Sequence, residues 1–166
     1  MVTVDNNLAQ SCMRILDCFM DNYIEDEDGM KKVSKDMIEG LANMIKPMFF
    51  FAIIWSVGCT TTADGRKKFS AWIREKIADE KVEFPEETEQ CKTVYDWNFN
   101  PETATWQNWF DTIEKYTVDT SLSFNEIVVP TVDSIRMKHL AKMLIKAGKH
   151  ILMPGPIGTG KSSYIS

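Results

Sequence analysis

The residues with the clearest capacity for chemistry lie in the string GPIGTGKSS, residues 155–163. Gly155, Gly160, Lys161 and Ser162 satisfy the pattern G-x-x-x-x-G-K-[ST], and Gly158 adds a glycine between them. Glycine adopts backbone angles that other residues resist, so successive amides can turn inward around an anion. A helix beginning near Lys161 would add the positive end of its dipole. The Lys161 ammonium suits the β- and γ-phosphates of a nucleoside triphosphate, and the Ser162 hydroxyl suits a Mg²⁺ ion on those phosphates. The expected contact set is Gly155, Pro156, Ile157, Gly158, Thr159, Gly160, Lys161, Ser162 and Ser163, with ATP and Mg²⁺ as ligands. A bland glycine-rich turn can carry the same letters, and what separates the two is a strand before the loop and a helix after it.

The residues upstream have the required order. HILMP, residues 150–154, reads as a buried strand feeding the loop. Before it, Val132, Ile135, Arg136, His139, Leu140, Met143, Leu144 and Ala147 recur at helical spacing, which predicts an amphipathic helix capped by Thr131 and stopped by Gly148. Residues 124–129 form a short β-like run ended by Pro130. Further back, VYDWNF (94–99) alternates Tyr95, Trp97 and Phe99, NPET supplies a turn, and ATWQNW follows, which predicts an aromatic β-hairpin used for packing. The Glu-rich stretch 79–90 with its single proline reads as a boundary between packing units.

The first eighty residues read as helices. Leu8, Cys12, Ile15, Leu16 and Phe19 form one stripe; the acidic EDEDG ending at Gly29 forms a loop. Ile38, Leu41, Ile45, Met48, Phe49 and Ala52 form a second stripe, with Pro47 expected to kink or restart the helix and Gly58 to stop it. Asp64-Gly65 signals a turn, followed by a helix with Phe69, Trp72, Ile73 and Ile77 on one face. The fold class expected is mixed α/β: a mostly helical N-terminal half, then a β-hairpin, then the start of a P-loop α/β domain.

Composition narrows the function classes. At 166 residues with 44% hydrophobic content the chain can bury a sizeable core. Its net charge of -5 argues against a general nucleic-acid surface, and the basic groups at 66–68 and 138–149 are interleaved with apolar residues as on solvated helix faces. Cys12, Cys18, Cys59 and Cys91 form no CxxC pair and lie far from His139 and His150, which argues against zinc and fits reduced thiols in a cytosolic compartment. The longest apolar run, MFFFAIIWSV (48–57), is well short of the roughly 20 residues of a membrane span. No apolar strand ending in Asp-Glu supplies the carboxylate that orders Mg²⁺ or water, so the chain alone is not expected to hydrolyse ATP.

Several separated strings resemble the dynein heavy chain family: FFFAIIWSVGCTTTADGRKKFSAWIRE, VYDWNF, and FNEIVVPTVDSIRMKHLAKMLIKAGKHILMPGPIGTGKS, in that order. The resemblance covers nearly the whole chain and is strongest toward axonemal, single-headed inner-arm members. It implies a stretch from the end of the second AAA+ module to the P-loop of the third, with residues 1–80 as a helical lid, 81–92 as linker and 93–166 as the N-terminal part of the next α/β domain. It further implies a fragment of an ATP-driven microtubule motor carrying a regulatory nucleotide site, cut just after the loop. The implied partners are the remainder of the AAA+ ring and, through the parent protein, microtubules and dynein light and intermediate chains. No nucleic acid or membrane is implied, and the implied location is the cytoskeleton of a ciliary or flagellar axoneme. Residues 127–131 correspond to the segment that passes beside adenine, which nominates Val128 as a base contact. Two positions depart from the family's usual pattern: Pro154 stands where a small apolar residue commonly precedes the first glycine, and Ile157 stands for a commoner Thr.

Overall fold

A computed structural model describes residues 4–24, 34–112, 127, 129–153, 155–158 and 160–161. They divide into two compact units, 1–108 and 109–166. The first unit contains three helices, α1 (Asp5–Met20), α2 (Lys35–Ser56) and α3 (Ala63–Asp79), and an antiparallel hairpin of β1 (Trp97–Asn100) and β2 (Thr105–Asn108). The second contains α4 (Val132–Lys146) and the glycine-rich loop.

Helices α2 and α3 begin where short polar side chains replace the missing backbone acceptors. Ser34 Oγ accepts from the Met37 amide at 3.2 Å and Thr62 Oγ1 from the Gly65 amide at 3.3 Å, the N-cap arrangement. The second bond corrects the expectation of a turn at Asp64-Gly65. Thr62 already starts α3, so both residues lie in its first turn. The α1 stripe holds, with Cys12, Ile15 and Phe19 buried.

The face of α2 differs from the expected one. Met48 and Ala52 are buried, together with Phe51 and Trp55, whereas Ile38 (56% exposed), Ile45 and Phe49 face outward. The stretch 48–55 is apolar on all sides, so periodicity does not select a face there; the aromatic partners do. Phe19 meets Phe51 edge-on at 5.4 Å, Phe99 lies 6.4 Å from Phe19, and Trp106 lies 5.2 Å from Phe99. These rings join α1, α2 and the hairpin in one core, and full burial of a side chain such as Phe51 contributes about 1.5–3 kcal/mol. Helix α2 runs through Pro47 without restarting. With its 3₁₀ extension, residues Lys35–Thr60 are long and apolar enough to cross a membrane by length and composition, with a hydropathy of 1.5, a longer segment than the apolar run suggests. The buried residues of α2, all between Met48 and Ser56, belong to the core of this unit.

The hairpin pairs Trp97 with Asn108, Asn98 with Gln107, Phe99 with Trp106 and Asn100 with Thr105. Asn100 Oδ1 accepts from the Glu102 amide at 2.9 Å, tightening the turn that Ala104 completes at φ +54°. Tyr95 lies before β1 in a 3₁₀ turn, Val94–Asp96, and not in the strand. Ser70 Oγ of α3 accepts from the buried Val94 amide at 3.0 Å and docks that turn. The Glu-rich stretch is laid along α3: Arg74 donates to the Pro85 carbonyl at 2.9 Å, sits 3.4 Å from Glu87 and stacks 4.9 Å over the Phe84 ring. Burial lowers the Arg74 pKa, opposed by the charges of Glu87 and Asp96. The stretch 79–90 and the hairpin therefore both belong to the first unit, whose limit falls after Asn108.

Gly58, the expected stop, has a second role. A Cβ there would come within 2.4 Å of the Phe69 ring and 2.6 Å of the Tyr95 hydroxyl, so only glycine allows both to close on the end of α2. On α3, Ile73 and Ile77 are buried as expected, whereas Trp72 is 49% exposed.

Candidate functional site

Two local devices orient the chain that carries the loop. At the start of α4, Thr131 Oγ1 accepts from the Ser134 amide at 3.2 Å and Ser134 Oγ accepts from the Thr131 amide at 2.8 Å, a reciprocal cap. At its end, the Lys149 amide donates to Leu144 O at 2.9 Å and the Gly148 amide to Ile145 O at 3.0 Å, with Gly148 at φ +66°. This is a Schellman motif; it satisfies two terminal carbonyls and turns the chain away from the helix axis. Arg136 sits 3.2 Å from Asp133 in the first turn. The His139 ring meets Trp109 edge-on at 5.2 Å, and burial, aided by the nearby Lys142 charge, lowers its pKa.

Residues 151–153 alternate as a strand would: Ile151 and Met153 are half-buried and Leu152 is 87% exposed. The expected buried strand is not formed, because a strand needs a neighbour for its amides and carbonyls and none pairs with 151–153 among the described residues. Beside this segment and α4 lies a cleft of about 840 Å³, walled by Lys138, Lys142, Lys146 and Lys149 over Ile145 and Met153.

The loop itself is open to solvent at Gly155, Pro156, Ile157, Gly158 and Gly160. Gly158 (φ +84°) and Gly160 (φ +72°) lie in the left-handed region, and a Cβ at either would meet nothing within 4 Å. Their requirement for glycine is thus one of backbone angle and not of space. Lys161, the first helical residue after the loop, folds its ammonium back to donate to Gly155 O at 2.9 Å and Pro156 O at 2.6 Å. The first and last parts of the motif are joined by one charge, which closes the loop into a ring. Thr159, Ser162, Ser163 and Val128 lie outside the described residues, as does Pro154. The two carbonyl acceptors were not legible in the sequence, since any residue type supplies a carbonyl. Among the described residues, no three His, Cys, Asp or Glu side chains come together to hold a metal ion.

The glycine-rich loop, its lysine and the helix-to-loop order define a P-loop nucleotide-binding segment. Comparison with known families agrees. Residues 1–111 match the dynein heavy chain AAA lid domain, and residues 116–166 match the P-loop containing dynein motor region. Dynein axonemal heavy chain 1 of Homo sapiens is 33% identical over 96% of this chain, and its Mus musculus counterpart 31% over 99%. Dynein axonemal heavy chain 2 of Mus musculus is 34% identical over 75% of it. The chain belongs to the dynein heavy chain family. It spans about 4% of the length of the axonemal heavy chain 1 relatives, across the junction of an AAA lid and a P-loop motor region of a nucleotide-binding family.

Proposed function

We propose that this chain carries the ATP site of a regulatory AAA+ module in an axonemal dynein motor. The observation that carries the reading is the Lys161 ammonium, held at the mouth of a loop whose two inner glycines are left-handed. Gly155 to Ser163 hold the phosphates, with Lys161 on the β- and γ-phosphates, Ser162 on Mg²⁺ and Val128 beside the base. The described residues fit an anionic ligand: the Lys161 ammonium lies against the loop, beside the Gly155 and Pro156 carbonyls, and a phosphate oxygen offers it a charged acceptor there. Mg²⁺, when bound, neutralises phosphate charge.

The first unit acts as the lid of the preceding module. The limit of the compact unit after Asn108 and the extent of the lid match support a change of module after the hairpin, at about residues 109–116, later than the 79–90 boundary expected from composition and the 81–92 linker implied by the resemblance. In the parent protein the two modules sit in an AAA+ ring that works on microtubules in the axoneme, alongside light and intermediate chains. The names of the relatives support that setting.

Titration of a fluorescent ATP analogue with Mg²⁺ into the chain and into Lys161→Ala tests the site. Saturable binding is expected, weakened at least roughly tenfold in the variant, because removal of a charged partner costs several kcal/mol. Equal affinity in both proteins rules out the assigned role of Lys161. Binding by neither leaves a purely structural module.

A further inference from the structure

We propose that Lys138, Lys142 and Lys146 steer anionic nucleotide toward the 155–161 loop without touching it, an inference that rests on the nucleotide reading above. Their four-residue spacing places them in one line on α4, about 6 Å apart. All three line the cleft beside residues 149–153, and among the described residues no carboxylate lines it. The one acidic residue of α4, Asp133, sits in the first turn and is paired with Arg136. Met153, also on the cleft wall, is two residues from Gly155, so the cleft ends within ~7 Å of the loop along the chain.

The distribution of charge gives these lysines their effect. Residues 1–108 carry 12 Lys and Arg against 19 Asp and Glu, whereas residues 109–166 carry seven against five. A triphosphate approaching a chain of net charge -5 is repelled by the whole and drawn only to the part that bears the loop. A concave wall of one charge sign over aliphatic side chains concentrates that field at the cleft. All three lysines are exposed, so their ammonium groups stay hydrated. Such charges act on the encounter, which is a change in association rate, and leave the dissociation of bound ligand nearly untouched.

Stopped-flow association of a fluorescent ATP analogue with Mg²⁺ tests this in the full chain. Three proteins are compared: the unchanged chain, the triple variant Lys138→Gln, Lys142→Gln, Lys146→Gln, and the matching triple Lys→Arg variant. Glutamine and arginine match lysine in helix propensity, so α4 keeps its structure, which circular dichroism checks. At low ionic strength the Gln variant is expected to associate roughly 3–10-fold more slowly, within the lower range of steering effects. Its dissociation rate should stay within about twofold and the difference should vanish near 0.5 M salt, where screening is nearly complete. The Arg variant should keep the original rate. An unchanged association rate in the Gln variant, or a loss expressed in dissociation, overturns the steering role while the nucleotide reading stands. Absence of binding by the unchanged chain overturns both.

Discussion

Helices α2 and α4 both start from a side-chain cap, yet they are held in different ways. Between Met48 and Ser56, α2 buries seven residues among rings from α1 and the hairpin, whereas α4 buries Ala141 alone. The structure of the first unit is therefore written in non-local contacts, and that of α4 mainly in its two ends: the Thr131–Ser134 cap and the Gly148 turn. A dense aromatic core holds the shape of the first unit. A loop that receives a ligand needs an open backbone, and here the flanking helix sets its direction.

The largest expected effect tests that division directly. Phe51→Ala removes a fully buried ring that touches Phe19, Trp55 and Trp106, and should destabilise the first unit by about 3–5 kcal/mol. Hydrogen exchange should show α1, α2 and the hairpin losing protection while the amides of α4 keep theirs. Equal loss in α4 would break the comparison and make the chain one cooperative body.

Gly58→Ala comes next. The added methyl would overlap the Phe69 ring and the Tyr95 hydroxyl, and neither can retreat easily, since Phe69 also packs on Trp72 at 5.6 Å and Tyr95 on Trp55 at 6.0 Å. Overpacking of this kind costs about 1–3 kcal/mol. Thermal or urea unfolding followed by tryptophan fluorescence should register the loss. Removing the rings' obstruction with Phe69→Leu in the same chain should recover part of it.

Thr131→Ala probes the other mode of support. It deletes the hydroxyl that accepts from Ser134 and should cost about 1 kcal/mol, read as faster exchange in the first turn of α4. The first unit should not respond. A silent result would mean that α4 is held by its face after all.

These contrasts explain what was legible in the residue types. Thr131, Gly148 and the loop motif act within a few residues, so their spacing announces them. The buried face of α2 was not legible, because FFFAIIWS is apolar all round and the choice between Phe49 and Phe51 is made by Phe19 and Trp106, far away in the chain. Asp64-Gly65 misled because a dipeptide that favours turns also fits the first turn of a helix when a threonine precedes it as cap. Residues 151–153 show strand alternation but no ladder, since alternation is local and pairing is not. At the loop, the lysine was legible and its carbonyl partners were not.

The smallest expected effect compares two helix ends built alike. At the end of α3, the Val82 amide donates to Ile77 O at 3.1 Å and the Lys81 amide to Ala78 O at 2.9 Å, the same pair of bonds that closes α4. Lys81 holds φ +56° where Gly148 holds φ +66°. A side chain at that angle crowds the following carbonyl at a cost of roughly 1–2 kcal/mol, partly offset by the greater freedom that glycine loses on folding. Lys81→Gly should therefore stabilise the first unit by about 0.5–1 kcal/mol, and Gly148→Ala should weaken α4's last turn by a similar amount. Parallel urea titrations and amide exchange at Val82 and Lys149 check the two signs. Opposite signs at equivalent positions would mean that local backbone geometry governs both ends despite the difference in their cores. A loss on Lys81→Gly would instead show that the lysine side chain, which lines the groove between α2 and residues 80–85, contributes more than its backbone costs.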